Sequence, residues 1–225
     1  MSAAGDRPVL AVVGGTGHLG GALARRWLQA GYEVILGSRE AARAAAAAAG
    51  LGAELSRPVR GLGNREAAAA AAVVVVTVPF ASQQAVLETI RPVVGGKLVV
   101  DTTVPLVPPK VMRVQLPEEG CAAVRAQRIL GPEATVVSAF HNVAAHALSQ
   151  PKAVDCDVLV FGDQKEARER VVALAAAAGL RALHAGPLVN SAAGEALTSI
   201  LIFINRAYAV DSAGVRITGE LHTGA

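Results

Sequence analysis

The stretch PVLAVVGGTGHLGG, from Pro8 to Gly21, decides how the chain is read. Val9 to Val13 is an unbroken apolar run, the pattern of a strand buried on both faces, and it stops at glycine. Beyond the turn, Leu19, Ala22, Leu23 and Trp27 recur at helical spacing, which leaves Arg25, Arg26 and Gln29 to face water. The order is strand, tight turn, helix. Gly15, Gly17 and Gly20 fit the G-x-G-x-x-G spacing. The first glycine permits a sharp turn, the second lets a pyrophosphate approach the backbone, and the third lets helix and strand pack closely. The helix start, with the free N–H groups of residues such as His18 and Leu19, offers roughly half a positive charge to a diphosphate. A glycine-rich turn can also be a plain structural turn. Its place after a strand and before a helix favours a dinucleotide site.

Composition narrows the rest. The 225 residues suffice for one α/β domain or a Rossmann domain with a small appendage. With 52% hydrophobic and 17% charged residues the chain is globular rather than disordered. The net charge of +3 comes from scattered basic residues, and only 3% of residues are aromatic, so no nucleic-acid platform is expected. Cys121 and Cys156 stand apart without a C-x-x-C pair or clustered His, which predicts two reduced thiols, no metal site and a cytoplasmic setting. The first residues lack the pattern of a signal peptide, and the tract Ala67 to Phe80 is too short to span a bilayer, so no membrane segment is expected.

The second strand, Glu33 to Leu36, ends in Gly37, Ser38 and Arg39 where an NAD site would carry an acidic reader of the ribose. A guanidinium and a hydroxyl suit a 2'-phosphate instead, and Arg43 lies one helical turn further on. The cofactor indicated is NADP(H). The plainer alternative is that Ser38 caps the alanine-rich helix from Arg39 to Ala49 and that both Arg are solvated.

Downstream, a weak third strand is expected within Ala53 to Val59, then a helix from Arg65 to Ala71 and a strong strand from Val73 to Val78. Thr77, Pro79 and Phe80, at that strand's carboxyl end, would wall the cofactor. Helix Ser82 to Ile90, strand Lys97 to Asp101, an extended proline-rich loop, helix Glu118 to Leu130 and strand Thr135 to Phe140 follow. His141 to Ala145 then sit at another strand's carboxyl end. After Pro151 come strand Asp157 to Gly162, helix Lys165 to Ala178, strand Arg181 to His184 and a last helix from about Ala193 to Tyr208, and this C-terminal part is expected to pack on the sheet's edge.

Taken in order, GGTGHLG, GSR, VTVPF, DTTVP, VVSAFHNVAA, DVLVFGD, AGPLVNS, EALT, INRAY and AGVRITG resemble the coenzyme F-420-dependent NADP oxidoreductases, from Val9 to Gly219. The resemblance implies a Rossmann-type, doubly wound, mostly parallel sheet over residues 1–150. It also implies a small C-terminal α/β extension over residues 151–225 that helps form the deazaflavin site. It implies hydride transfer between NADPH and an 8-hydroxy-5-deazaflavin, and a homodimer or larger assembly. Thr16, Ser38, Arg39 and Arg43 match the family's 2'-phosphate pocket. His141, Val143 and Ala145 match the segment backing the two rings, and Thr198 matches a residue near them; His141 and Thr198 would act by positioning only. A neutral His141 or a backbone N–H there would support charge developing on the deazaflavin. Ala192 and Ala196 stand where archaeal members carry an Arg and a Ser, which leaves the deazaflavin contacts open. Arg206 and Arg216 either meet the coenzyme's anionic tail or are solvated, and His146, His184 and His222 read as structural or solvated.

Two other functions compete. A dehydrogenase or imine reductase on the same fold would need a positioned acid or base, and a non-catalytic NADP sensor would need none. Neither Tyr32 nor Tyr208 opens the Tyr-x-x-x-Lys pair of short-chain reductases.

Overall fold

Alternating apolar strands and helices build a six-stranded sheet in a computed structural model that describes residues 7–221. Its strands are β1 (Leu10–Val13), β2 (Val34–Ser38), β3 (Arg60–Gly63), β4 (Val73–Val76), β5 (Leu98–Asp101) and β6 (Thr135–Ser138). The order is β3-β2-β1-β4-β5-β6 with every pair parallel, the doubly wound arrangement whose switch point falls between β1 and β4. The unbroken runs divide between two faces. Leu10, Val12, Val73 and Val75 join the core under α1 (His18–Gln29) and α2 (Ala41–Leu55). Ala11, Val13, Val74 and Val76 join the core under α3 (Asn64–Ala70), α4 (Phe80–Ile90) and α5 (Ala122–Leu130). Period-two alternation thus puts a core on each side of one sheet.

Past β6 the chain makes a short helix, α6 (Ala145–Ser149), and then β7 (Asp157–Val160), α7 (Lys165–Ala177), β8 (Arg181–His184) and α8 (Ser191–Tyr208). β7 and β8 pair in parallel as a second, two-stranded sheet, and Ser138 and Phe161 bridge it to β6 in antiparallel fashion. The C-terminal part therefore extends the sheet's edge. Trp27 of α1 fastens it from beneath: its Nε1 donates to the Leu174 carbonyl at 2.8 Å, and its ring meets Phe140 edge-on at 6.1 Å. Arg26 fastens the same junction, donating to the carbonyls of Leu148, Gln150, Lys152 and Ala178 at 2.8–3.2 Å. Expected to face water, it is instead part-buried among orphan carbonyls at the ends of α6 and α7. Arg25 pairs with Glu54.

Several boundaries differ from the sequence reading. The third strand lies at Arg60–Gly63 rather than within 53–59, because the alanine-rich α2 runs on through Gly50 and Gly52 to Leu55. Gly61 lets β3 lie against α2, since a Cβ there would come within 2.2 Å of the Ala44 carbonyl. Helix α5 begins at Ala122 rather than Glu118, after a turn in which Gly120 takes φ +89°. The cap of α2 is Glu40 rather than Ser38, although the Glu40 N–H donates to Ser38 Oγ at 3.3 Å. Cys121 and Cys156 are free and buried. Among the described residues, the stretch Leu188–Tyr208 is long and apolar enough to cross a membrane by length and composition only, and a third of its most apolar window is buried. His222 lies outside the described residues.

Candidate functional site

The glycine turn closes at Gly14, whose φ of +80° only glycine adopts readily. The left-handed residue thus comes one position earlier than the fingerprint assigns. Gly15 is needed for a different reason: a Cβ there would stand 2.7 Å from the Val12 carbonyl. At Gly20 a Cβ would meet Thr77 Oγ1 at 2.5 Å and the Gly14 carbonyl at 2.9 Å, so α1 lies directly on the turn and the end of β4. Thr77 is held there by donating to the Val13 carbonyl at 3.0 Å. Gly17, Thr16 and His18 are exposed, and α1 has neither a side-chain cap nor an acidic residue in its first turn. The start of α1 therefore presents free N–H groups and a bare backbone to an anion. That cradle fits a dinucleotide's diphosphate.

Beside it is a hollow of about 300 Å³ between the ends of β2 and β4. Gly14, Thr16 and Gly17 line one side and Ser38, Arg39, Glu40 and Arg43 the other, with Thr77, Val78 and Pro79 along the β4 wall. Arg39 makes no ion pair among the described residues, whereas Arg43 stands 3.7 Å from Glu40, both well exposed. Seven of the residues expected around NADP(H), Thr16, Gly17, Ser38, Arg39, Arg43, Thr77 and Pro79, thus share one cavity. His18 lines a second hollow of about 280 Å³, which shares Thr16 and Gly17 with the first and continues to Arg25, Glu54 and Ser149, and Leu19 packs on the core.

The residues expected near the rings lie elsewhere. His141 is buried, 5% exposed, beside Phe161 and Gly194, and its Nε2 is 2.6 Å from Ser138 Oγ. Burial pushes its pKa down to about 4, which keeps the ring neutral. Thr198 Oγ1 donates to the His141 carbonyl at 2.8 Å, so α8 holds the turn after β6. Phe140 in that turn carries a φ of +66°, an outlier for a bulky side chain. Val143 is buried in the core and Ala145 opens α6; neither lines the hollow beside the glycine turn. Arg216 pairs with Asp155, and Arg206, His146 and His184 are exposed.

Sequence reasoning missed a second constellation at the strand ends. Glu195 of α8, 1% exposed, accepts the N–H groups of Ala122 and Ala123 at 2.7 and 3.0 Å and so caps α5 from another element. Gln83 joins Asp101 to the Ala122 carbonyl at 2.7 and 3.0 Å, and Asp101 also accepts from the Thr103 hydroxyl and N–H. Burial raises Asp101 to about 6 and Glu195 to about 8. It missed Asn64 as well, which lines the hollow and followed a strand placed too early.

Residues 9–105 match the family model described as NADP oxidoreductase, coenzyme F-420-dependent. The F-420-dependent NADP reductase of Methanothermobacter thermautotrophicus is 42% identical over 220 residues, covering 93% of this chain and 94% of that protein. The Methanocaldococcus jannaschii reductase of the same name is 36% identical over 220 residues, covering 93% and 97%. A crystal structure from Arthrobacter sp. FB24 superposes with a TM-score of 0.80 at 26% identity, over 95% of this chain and all of that one. The chain belongs to the F-420-dependent NADP reductase family.

Proposed function

We propose that this protein transfers a hydride between NADPH and the deazaflavin coenzyme F-420. The observation that carries the reading is the hollow at the end of β2, where Ser38 and Arg39, which makes no ion pair among the described residues, stand in place of an acidic ribose reader. Gly15, Thr16, Gly17, His18, Leu19 and Gly20 supply the diphosphate cradle. Ser38, Arg39 and Arg43 take the 2'-phosphate, and Thr77 and Pro79 wall the cofactor. The segment His141, Val143 and Ala145 backs the rings. Because the imidazole of His141 is buried, its part is to fix the turn's backbone, with Thr198 holding its carbonyl. When bound, the nicotinamide supplies the hydride; the protein's task is to align two flat carriers and exclude water, which needs no side-chain nucleophile.

Residues 1–150 form the NADP-binding unit in this reading, and residues 151–225 complete the deazaflavin site. Ile200, Phe203 and Tyr208 of α8 expose 48%, 55% and 73% of their surface, and a second copy covering them would make a homodimer. The free buried thiols suit a reducing cytoplasm. Mixing the purified protein with NADPH and oxidised F-420 tests the function: the coenzyme's visible absorbance should bleach as NADPH is consumed. Tight NADPH binding without bleaching would contradict it.

A further inference from the structure

One polar atom beside the cofactor hollow has nothing to bond. Asn64 opens α3, is 6% exposed and lines the hollow, and its Oδ1 has no donor among the described residues. A Cβ on Gly37 would lie 3.0 Å from that oxygen, so the amide sits against β2 one residue before Ser38. A buried acceptor without a donor is costly, and a donor from a ligand removes the cost. With the 2'-phosphate at Ser38 and Arg39, the adjacent sugar carbon carries the 3'-hydroxyl, the one donor left on that ribose. Val78 and Val86 line the same hollow and offer apolar side chains to a base.

We infer that Asn64 accepts a hydrogen bond from the 3'-hydroxyl of the adenosine ribose and so fixes the sugar that carries the 2'-phosphate. The inference rests on the NADP reading above. Arg39 then discriminates by charge, and Asn64 holds the sugar in NADP and NAD alike.

Calorimetric titration of the full chain with NADP+ and with its analogue lacking the adenosine 3'-hydroxyl tests this. The wild type should bind the analogue about three- to tenfold more weakly. Asn64→Ala and Asn64→Ser should bind NADP+ more weakly by a similar factor and bind the analogue no more weakly than NADP+. Equal binding of the two ligands by the wild type overturns the inference without relying on any variant, as do losses in Asn64→Ala and the analogue that multiply. Arg39→Ala separates the two claims. If it leaves NADP+ affinity unchanged, the hollow is not the NADP site and both fall; if it weakens NADP+ while the wild type ignores the 3'-hydroxyl, only the role of Asn64 falls.

Discussion

The glycine corner at the ends of β1 and β2 and the dry corner at the ends of β5 and β6 are made from neighbouring strand ends of one sheet, yet they use polar groups in opposite ways. In the first, Thr16, Gly17 and Arg39 are exposed, α1 is uncapped and the Asn64 oxygen is unpartnered. In the second, Asp101, Gln83, Glu195, Ser138 and His141 are buried and bond to one another or to backbone, with only Gln83 Oε1, His141 Nδ1 and Ser191 Oγ left over. A polar group kept free beside an open hollow is available to a ligand, whereas one that is buried and paired holds its elements in place. Changes in the dry corner should therefore cost stability, and changes in the glycine corner should cost binding.

The largest effect should come from Glu195→Ala. It strands two N–H donors at the start of α5, each worth about 1–3 kcal/mol. The melting temperature should fall by roughly 5–20 °C for a chain of this size. Thermal melts with NADP+ titrations check the contrast: a large loss of affinity with an unchanged melting temperature would break it. Arg26→Ala should come next, because four carbonyls at the junction of the two lobes lose their donor. A stability loss of about 1–3 kcal/mol, measured by denaturant unfolding, is expected.

The pH dependence sharpens the same point. Glu195 is raised from 4.5 to about 8 and Asp101 from 3.8 to about 6, so between those values the folded state holds protons that the unfolded chain has released. Their contribution to stability is present at low pH and is lost as pH rises through the folded values. His141, lowered from 6.5 to about 4, works the other way, adding stability as pH rises across that range. Above pH 6.5 the slope from Glu195 remains, so Glu195→Gln should flatten the decline in melting temperature between pH 6.5 and 8. Parallel curves for variant and wild type would contradict the assignment. The smallest effect belongs to Arg43→Ala in the glycine corner. That side chain is 62% exposed and loosely paired with Glu40, so NADPH affinity should fall no more than about two- to fivefold. A loss beyond about tenfold would mean that Arg43 rather than Arg39 carries the phosphate contact.

How much is legible in the sequence follows from how local each feature is. An apolar run ending in glycines reports strand, turn and helix within 14 residues, Pro8 to Gly21, and the GSR triplet follows the next strand directly, so local pattern alone marks the corner where the hollow lies. The alanine-rich stretch after it has almost no periodicity, and Gly50 and Gly52 resemble breaks although the helix runs through them. Misplacing β3 in turn hides Asn64 in a supposed loop. Nothing local announces the bond from Glu195 to Ala122, which joins residues 73 positions apart, or the reach of Arg26 to carbonyls more than 120 positions away. Resemblance singles out His141, but its burial depends on Phe161 and Gly194, which only the folded chain brings together.

The central claim is that the hollow at the end of β2 reads a 2'-phosphate through Arg39, and comparing NADPH and NADH dissociation constants for wild type and Arg39→Ala tests it most directly. A lost charge-assisted bond should weaken NADPH about ten- to a hundredfold and leave NADH nearly unchanged. Equal weakening of both cofactors, or of neither, would contradict it.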